Sequence, residues 1–547
     1  MRRRAFIQGL AVTAFTSRAI AQDNSFPTPS IRTDQKTSWS VLDFQGSSFR
    51  AKLENAVREA VGTGINIQLP GGAPHDIDAP IEVTTNDVVR IAISGEGMAS
   101  TAIRCDGVGI SLNGGAGSQY SFKGISFLPQ RENQGTALKL EWAKATIGKG
   151  FAIEDVGFGS NSPDDKNFFS RGLEIRNKGT GQIIGCWFNG LSTADPQGEG
   201  LVLAAANDVT MTNTYMYNLA YACRSDGAGS LEGFRLHGGT FVRVGHGVYF
   251  QAAPVGIPYI EVALSHINAC YEAIHIEGYS QVNIVDNLLY ARKDIKANTD
   301  QNDIFVQNCP ALTIARNKFF SGMDKSTINK TAIKTVGSVR NGNIAENLAS
   351  ERTVFLDVTD NGVNGAEDIV ISKNRSERDL KGRATVLAMY RFTNSPLHKR
   401  ITWEGYDDDI STKGFITDAY QLAVSKWQIM PFIPDPKATA LGIDFKVADQ
   451  VGEFVTPPGV TECKINCRIH MKSAHQTACE ARITLDSGNG FEEVAVGSTF
   501  GDDISVNAET DVLRVTIGSR IRIEVKVEAG AVIDIAPEVT RIIITPT

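Results

Sequence analysis

The chain has 547 residues, a length that excludes a single ordinary hydrophobic core and favours several domains or a solenoid. Hydrophobic residues make up 42% of it and charged residues 21%, and 52 glycines against 8 methionines favour a turn-rich β protein over a helical bundle. The formal net charge is -7, from 54 basic and 61 acidic side chains, which argues against nucleic acid as a partner.

Residues 1–21 have the pattern of an export signal. Arg2-Arg3-Arg4 precedes a short apolar run, and Ala19-Ile20-Ala21 supplies the small residues of a cleavage site. The segment from Arg3 to Gln8 resembles the twin-arginine signal, with an ordinary secretory signal as the alternative. We therefore expect a periplasmic or secreted protein exported by the twin-arginine pathway. No apolar stretch in the sequence is long enough to predict stable membrane insertion.

An amphipathic helix is predicted over residues 47–61. Phe49, Leu53, Val57 and Val61 fall on one stripe at helical spacing. A helix placed before a solenoid covers the open edge of the first coil and prevents unwanted strand pairing there. We therefore expect this helix to cap the N-terminal end of the domain that follows.

Short apolar strands recur between residues 120 and 375. Their period is about 22–31 residues, and no amphipathic helix lies between them, which is typical of one coil of a parallel β-helix. One reference strand position is assigned in each coil, at Phe122, Ile153, Ile184, Met211, Phe234, Val262, Ile284, Ile314, Ile344 and Ile371.

The last four coils share an asparagine three residues after the reference position. Asparagine tolerates the left-handed backbone conformation and suits a tight corner between strands. Because stacked corners bring equivalent residues together, we expect a ladder of side-chain amides that joins neighbouring coils. Its members are Asn287, Asn317, Asn347 and Asn374.

Three N-terminal segments carry a resemblance to a known family. Residues 41–44, 66–72 and 93–97 resemble the beginning of the pectate-lyase-like family of β-helix proteins, whose architecture is shared by tailspikes and polygalacturonases. The resemblance covers roughly residues 40–390. It implies a right-handed coil over a domain of residues 22–400 and a carbohydrate substrate. It does not define the reaction, because this fold hosts several chemistries.

One strand of each coil follows a loop, and aligning these strands predicts three outward columns of side chains. The third residue of each strand is apolar or cysteine and should point inward. Coils stack about 4.8 Å apart, so residues of one column become neighbours. The columns read Arg171, Glu199, Tyr221, His246, Glu272 and Asn302; then Glu174, Val202, Arg224, Tyr249, His275 and Phe305; then Asp226, Gln251 and Glu277.

The residues around His246 predict acid–base chemistry on a polysaccharide. A lyase needs a base, for which His246 or Tyr249 is suited, and a proton donor, for which Tyr249 or His275 is suited. It also needs a cation beside the substrate carboxylate, and Arg224 is the candidate. Glu272 lies in the same cluster. This combination slightly favours β-elimination on an acidic polysaccharide.

Glycoside hydrolysis is the alternative reaction. It needs two carboxyl groups, and Asp226 and Glu277 are two coils apart, about 9.6 Å, at the upper limit for inversion. Glu199, Arg171 and Gln251 are, with these two carboxylates, the predicted substrate-binding residues. A third possibility is a non-catalytic adhesin that binds polysaccharide in the same groove.

The pattern changes after the β-helix. Residues 401–427 read as a linker, and residues 428–547 alternate as short antiparallel strands typical of a β-sandwich or jelly roll. This region resembles the heads that trimerise fibrous proteins, so a homotrimer is expected, with a carbohydrate-binding module as the alternative. No metal site or cofactor is expected, although the acidic runs at Asp164-Asp165 and at residues 407–409 leave calcium open.

Overall fold

The computed structural model describes residues 38–546, apart from 63, 133, 144–148, 161–165, 178–179, 194, 227–230, 252–257, 292–300, 322–329, 378–387, 393–396, 398, 405–411, 416–419, 423–427, 430–432, 435–445, 448–452, 457–461, 516–518, 528–532 and 536–540. The predicted export signal and both acidic runs proposed for calcium lie outside the described residues. In the described part of the chain, no helix has the length and apolar character needed to cross a membrane.

The predicted N-terminal helix is present as Phe49–Glu59. It follows a short 3-10 helix at Val41–Asp43, and the Ser48 side chain caps it by accepting a hydrogen bond from the Ala51 amide at 3.2 Å. Leu53 and Val57 are fully buried, so the predicted apolar stripe packs on the first coil.

Each coil of the following domain contributes strands to three parallel stacks, which we call sheets I, II and III. The fold is therefore the predicted parallel β-helix. Sheet I consists of Ile81–Thr84, Ile110–Gly114, Gln134–Trp142, Phe169–Arg176, Glu199–Ala204, Tyr221–Ser225, His246–Gln251, Ile274–Glu277, Gln301–Gln307, Lys330–Val336, Val354–Thr359 and Ala388–Phe392.

Sheets II and III are continuous, because the long strands Gln119–Pro129 and Lys149–Phe158 bend through both. The other strands of sheet II are Trp39–Ser40, Ile65–Gln68, Arg90–Ser94, Thr180–Ile184, Asp208–Thr212, Gly233–His237, Tyr259–Ala263, Gln281–Val285, Ala311–Ala315, Val339–Ala345, Ala366–Ser372 and Lys399–Glu404. Those of sheet III are His75–Ile77, Ala102–Cys105, Trp187–Asn189, Tyr215–Tyr217, Thr240–Val244, His266–Ala269, Leu288–Ala291, Lys318–Ser321, Leu348–Ala349 and Arg375–Ser376.

Two of the predicted reference positions, Ile184 and Phe234, are wrong. Ile153 pairs with Ile183 rather than Ile184, and Met211 pairs with Leu236 rather than Phe234. Ile183 and Ile184 are adjacent, and Phe234 and Leu236 are two inward residues of one strand, so hydrophobicity alone does not define the register at either position. The remaining reference positions pair as predicted.

The predicted asparagine ladder is present at the corner between sheets II and III. Asn287 Nδ2 donates to Asn317 Oδ1 at 3.0 Å, and Asn317 Nδ2 donates to Asn347 Oδ1 at 3.0 Å. Asn347 Nδ2 continues the ladder to Asn374 at 2.9 Å. The left-handed residue is the one before each asparagine, for example Asp286 with φ 57°. The asparagines thus link coils, and their predecessors form the turn.

The C-terminal region consists of antiparallel strands, as predicted. Glu462–Asp486 and Phe491–Glu509 form a long hairpin, and its turn is stabilised by Asp486 Oδ1, which accepts hydrogen bonds from two glycine amides. The other strands are Thr412–Phe415, Tyr420–Leu422, Gln428–Ile429, Ile433–Pro434, Lys446–Val447, Glu453–Val455, Leu513–Arg514, Arg520–Val527, Ile533–Ile535 and Arg541–Pro546.

Candidate functional site

The outward face of sheet I stacks the residues that the sequence alignment placed together. Glu272 follows His246 in the first column, because the Gly247 amide donates to the Glu272 carbonyl at 3.0 Å. In the third column Gln251 pairs with Glu277. Strand pairing also confirms the order Arg171, Glu199, Tyr221 and His246 in the first column, and Glu174, Val202, Arg224, Tyr249, His275 and Phe305 in the second.

Gly247 allows His246 and Tyr249, three positions apart on one strand, to face outward together. Gly247 separates His246 from the inward Val248, and a Cβ at Gly247 would lie 2.3 Å from the Ala273 carbonyl oxygen. No larger residue fits so close an approach of two coils. The inward position is fully buried in every coil of the cluster, at Leu173, Leu201, Cys223, Val248, Ile274 and Ile304.

Glu199 lies between two arginines. Its Oε2 accepts from Arg171 Nε at 3.1 Å and from Arg224 Nη2 at 3.0 Å, and its Oε1 lies 2.6 Å from Arg224 Nε. The geometry at Arg224 is therefore a two-point ion pair. The sequence predicts Arg224 as the cation for a substrate carboxylate. In the structure this guanidinium already has a carboxylate partner within the protein.

Arg176 joins two further carboxylates to this cluster. It forms an ion pair with Glu174 and donates to Asp226 Oδ2 at 2.8 Å. Burial raises the pKa of Glu174, but hydrogen bonds from Arg176 and Arg171 outweigh it and hold the pKa below its usual range. Asp226 therefore faces a cation, and the predicted carboxyl pair of Asp226 and Glu277 is held by different partners.

His275 is held between two carboxylates. Its Nδ1 lies 2.8 Å from Glu272 Oε2, and its Nε2 lies 2.6 Å from Glu277 Oε1. Only an imidazolium donates on both sides, since a neutral ring has one N–H. Burial lowers the pKa of His275, but the hydrogen bonds and charges of both carboxylates outweigh burial and raise it.

A second histidine also faces the Glu272 oxygen that contacts His275. His246 Nδ1 lies 3.5 Å from Glu272 Oε2, the atom that His275 also faces. Burial raises the pKa of Glu272, but the hydrogen bond to His275 and the close contact of His246 outweigh burial and leave the pKa at about 2. Glu272 therefore stays ionised and orients both imidazole rings.

Aromatic rings enclose the two histidines. His246 is stacked between Tyr221, with ring centroids 4.8 Å apart, and Tyr271, at 5.2 Å. His275 is stacked between Tyr249 at 4.3 Å and Phe305 at 4.6 Å. The columns thus present a continuous aromatic surface with histidine nitrogens at its centre. We call this surface, with Glu272 and Glu277, the histidine ladder.

Tyr249 and Gln251 connect the ladder to the third column. Gln251 Nε2 donates to the Tyr249 hydroxyl at 2.9 Å and to Glu277 Oε1 at 3.3 Å. Burial raises the pKa of Tyr249, and the nearby Tyr221, Glu272 and Glu277 raise it further. Tyr249 therefore keeps its proton at neutral pH and is a possible donor.

The structure brings together all ten predicted site residues, in two linked groups. Arg171, Glu199, Arg224 and Asp226 form, with Arg176 and Glu174, what we call the arginine cluster. The histidine ladder contains His246, Tyr249, Glu272, His275 and Glu277, and Gln251 contacts it through Tyr249 and Glu277. Sequence reasoning missed Arg176 and Tyr271. Arg176 stands two residues after Glu174 on the same strand face, a period-two signal that could have identified it. Tyr271 lies in a turn, where alternation gives no such signal.

Among the residues that the structure describes, no group of three or more histidine, cysteine, aspartate and glutamate side chains is arranged to hold a metal ion.

No protein-family model and no curated protein sequence matches the chain. Among solved structures it is similar to a tailspike protein mutant of E. coli bacteriophage HK620 in complex with pentasaccharide, at 12% identity over 92% of this chain and 94% of that one, with a TM-score of 0.42. PfbA, a surface adhesin of Streptococcus pneumoniae, shows 11% identity over 68% of this chain and 93% of that one, with a TM-score of 0.41.

The A-module of the Azotobacter vinelandii mannuronan C-5 epimerase AlgE6 shows 12% identity over 68% of this chain and 99% of that one, with a TM-score of 0.38. Because all three TM-scores are below 0.5, these similarities do not bear on the chemistry of the site. The parallel β-helix itself is defined by the strand pairing of this chain.

Proposed function

We propose that the protein binds a polysaccharide along the outward face of sheet I and hydrolyses it at the histidine ladder. The observation that carries the proposal is the convergence of His246 and His275 on one oxygen of Glu272, with Glu277 on the far nitrogen of His275. Coupled acidic and basic groups on an exposed face are the arrangement that acid–base catalysis requires.

The shape of the face supports an extended sugar polymer. Sheet I is a long parallel surface, and the rings of Tyr221 and Tyr249 on it, and of Tyr271 in the adjoining turn, are only partly buried. Such rings offer an apolar body and a polar tip, which suits the mixed apolar and hydroxyl surface of a pyranose. A polymer laid along the stacked coils would meet the ladder at its middle.

The ladder contains a proton acceptor and a proton donor. In hydrolysis a water loses a proton to His246 and attacks the anomeric carbon, while the glycosidic C–O bond breaks and the leaving oxygen takes a proton. That proton comes from His275 through Glu277, whose carboxylate is the more exposed of the two at 29% against 17% for Glu272. Glu272 stays ionised, orients His246 and stabilises the positive charge that develops in the transition state.

The positions of the carboxylates also suit hydrolysis. Glu272 and Glu277 sit on opposite nitrogens of one imidazole ring, so one ring width and two hydrogen bonds separate their oxygens. Glycoside hydrolysis uses two carboxyl groups at one site, and this pair supplies them on either side of His275. The pair differs from Asp226 and Glu277, the pair that the sequence suggested.

β-Elimination remains the second candidate, favoured by the contact between His246 and Tyr249, whose rings meet edge to face at 5.0 Å. His246 would abstract the proton beside the uronate carboxylate, and Tyr249 would protonate the leaving oxygen. The pairing of Arg224 with Glu199 argues against it, because the uronate would have to displace an internal carboxylate to gain its cation.

The test is incubation of the full-length protein with neutral and uronate-containing polysaccharides. New reducing ends without the ultraviolet absorbance of an unsaturated product would support hydrolysis. Absorbance of that product would support elimination instead. Binding without cleavage would support the third reading, a non-catalytic adhesin, and would sink the catalytic proposal.

We also propose export through residues 1–21 and a homotrimer formed through residues 428–547. Cleavage of the N-terminal segment on export would be read by mass spectrometry of the mature protein. Light scattering coupled to size-exclusion chromatography would give the mass of the assembly, and a monomer would contradict the proposed trimer.

A further inference from the structure

Each arginine at the site already has carboxylate partners. Arg171 and Arg224 share Glu199, and Arg171 also donates to Glu174 at 3.0 Å. Arg176 is paired with Glu174 and Asp226. All three arginine side chains are between about a fifth and a third exposed, and each is held by carboxylates of the protein.

The charges of the described groove residues leave a negative excess. Four cationic groups, the three arginines and the His275 imidazolium, face five carboxylates, namely Glu174, Glu199, Asp226, Glu272 and Glu277. Farther along the same columns Lys139 is paired with Glu141 at 2.9 Å, and Lys334 lies beside Asp357 in the register. The groove therefore lacks the excess positive charge that a polyanion would need.

From this balance we propose that the substrate is an uncharged polysaccharide and that Glu199 excludes acidic glycans by occupying Arg171 and Arg224. The proposal rests on the function proposed above and deepens it. A uronate carboxylate entering the groove would compete with Glu199 for the same guanidinium groups. It would also approach the carboxylates of Glu272 and Glu277, where like charges repel in a poorly solvated site.

An uncharged sugar neither competes with Glu199 for the arginines nor is repelled by the carboxylates of the groove. Its hydroxyl groups can accept from arginine N–H groups that the carboxylates leave open and donate to carboxylate oxygens, since a guanidinium has five N–H donors and a carboxylate has about four lone-pair sites. The aromatic rings of the ladder add stacking that does not depend on charge. Binding of the substrate should therefore change little with ionic strength.

The test compares binding of the full-length protein to polygalacturonate and to a panel of neutral glucans, galactans and mannans, at low and high salt. We expect binding to at least one neutral polymer, with weak salt dependence, and no measurable binding to polygalacturonate. Preferential binding or cleavage of polygalacturonate would overturn the inference while leaving a glycan-processing function intact. Absence of binding to every polysaccharide would sink the proposed function and this inference together.

The variant Glu199→Gln provides the second arm. It keeps the size of the side chain and removes the charge between the two arginines, so binding to polygalacturonate should become measurable at low salt and decline as salt is added. The matched control is Glu367→Gln, which makes the same change in net charge but releases Arg340 on sheet II, where the pair distance is 3.3 Å.

The control should not gain affinity for polygalacturonate. An equal gain in both variants would show that only the net charge matters, and no gain in a folded Glu199→Gln would show that Glu199 does not exclude acidic glycans. Either result would overturn the inference. Circular dichroism and thermal unfolding establish whether the variant is folded. If the variant does not fold, the comparison of polysaccharides with the wild-type protein still tests the substrate class.

Discussion

His275 and Glu272 are joined by a hydrogen bond of 2.8 Å between Nδ1 and Oε2, and Glu277 holds the other nitrogen of the same ring. The ring therefore carries both of its N–H protons in the folded protein, one directed at each carboxylate. The relationship links one residue of the first column and one of the second to the pH dependence of the protein's stability.

The free energy of unfolding should depend on pH within a window set by His275 and Glu272. The pKa of His275 is raised on folding, so its contribution is present below the unfolded pKa of about 6.5 and is lost as pH rises through the folded value. The pKa of Glu272 is lowered to about 2, so its contribution is present above the unfolded pKa of about 4.5 and is lost as pH falls toward 2.

We therefore expect wild type to exceed His275→Gln in thermal stability most clearly between about pH 4.5 and 6.5. The difference should shrink on both the acid and the alkaline side. Thermal unfolding of the two proteins across this pH range measures it, and a difference that does not change with pH would contradict the proposed protonation of His275.

Replacement of His246 by alanine should abolish most cleavage while the protein stays folded. General acid–base groups typically contribute about 10²–10⁴-fold to the rate, and His246 is the proposed acceptor. The control is His266→Ala, because His266 is a partly buried histidine on sheet III, outside the ladder. Rates are read as reducing ends released per unit time. Wild-type rates in the His246 variant would remove this residue from the mechanism.

Removal of one asparagine from the ladder should destabilise the β-helix. Asn317 is fully buried, donates to Asn347 Oδ1 and to the Ile284 carbonyl, and accepts from the Asn287 amide at 3.1 Å. Asn317→Ala leaves several buried groups unpaired, at about 1–3 kcal/mol for each. The exposed Asn343 on sheet II is the control, and its alanine variant should unfold within about 0.5 kcal/mol of wild type. Chemical denaturation that ranks the two variants equally would contradict the role of the ladder.

Removal of a carboxylate from a buried ion cluster in the later coils should destabilise the protein far more than removal of one from a surface pair. Asp303 lies between Lys330 Nζ at 3.1 Å and Arg352 Nε at 2.6 Å, and all three side chains are at most 4% exposed. Asp303→Ala would leave two buried cations without their carboxylate, at a cost of about 3–5 kcal/mol.

The matched control is Glu154→Ala, which breaks an exposed pair with Lys123 at 2.9 Å and should cost at most about 1 kcal/mol. Urea denaturation of both variants provides the comparison. A smaller loss in the Asp303 variant than in the Glu154 variant would show that the cluster does not stabilise the coils.

Local pattern was sufficient for most of the fold. The capping helix was predicted from the spacing of Leu53 and Val57, and the coil corners from Asn287 and its three counterparts. The order of the columns was also correct, because one apolar inward residue in each strand, such as Val248, sets the register of its neighbours. The register failed at Ile184, beside the equally apolar Ile183, and at Phe234, which shares the inward face of its strand with Leu236.

What the sequence by itself determined about this protein is therefore which residues stack, since period and alternation are properties of the chain. Only the tertiary structure decided which charged groups are already neutralised. Arg224 reads in sequence as an available cation, and side-chain rotamers on two adjacent coils pair it with Glu199. Hydrogen bonds and ion pairs act over a few ångströms between atoms far apart in the chain, and no spacing along the sequence fixes such distances.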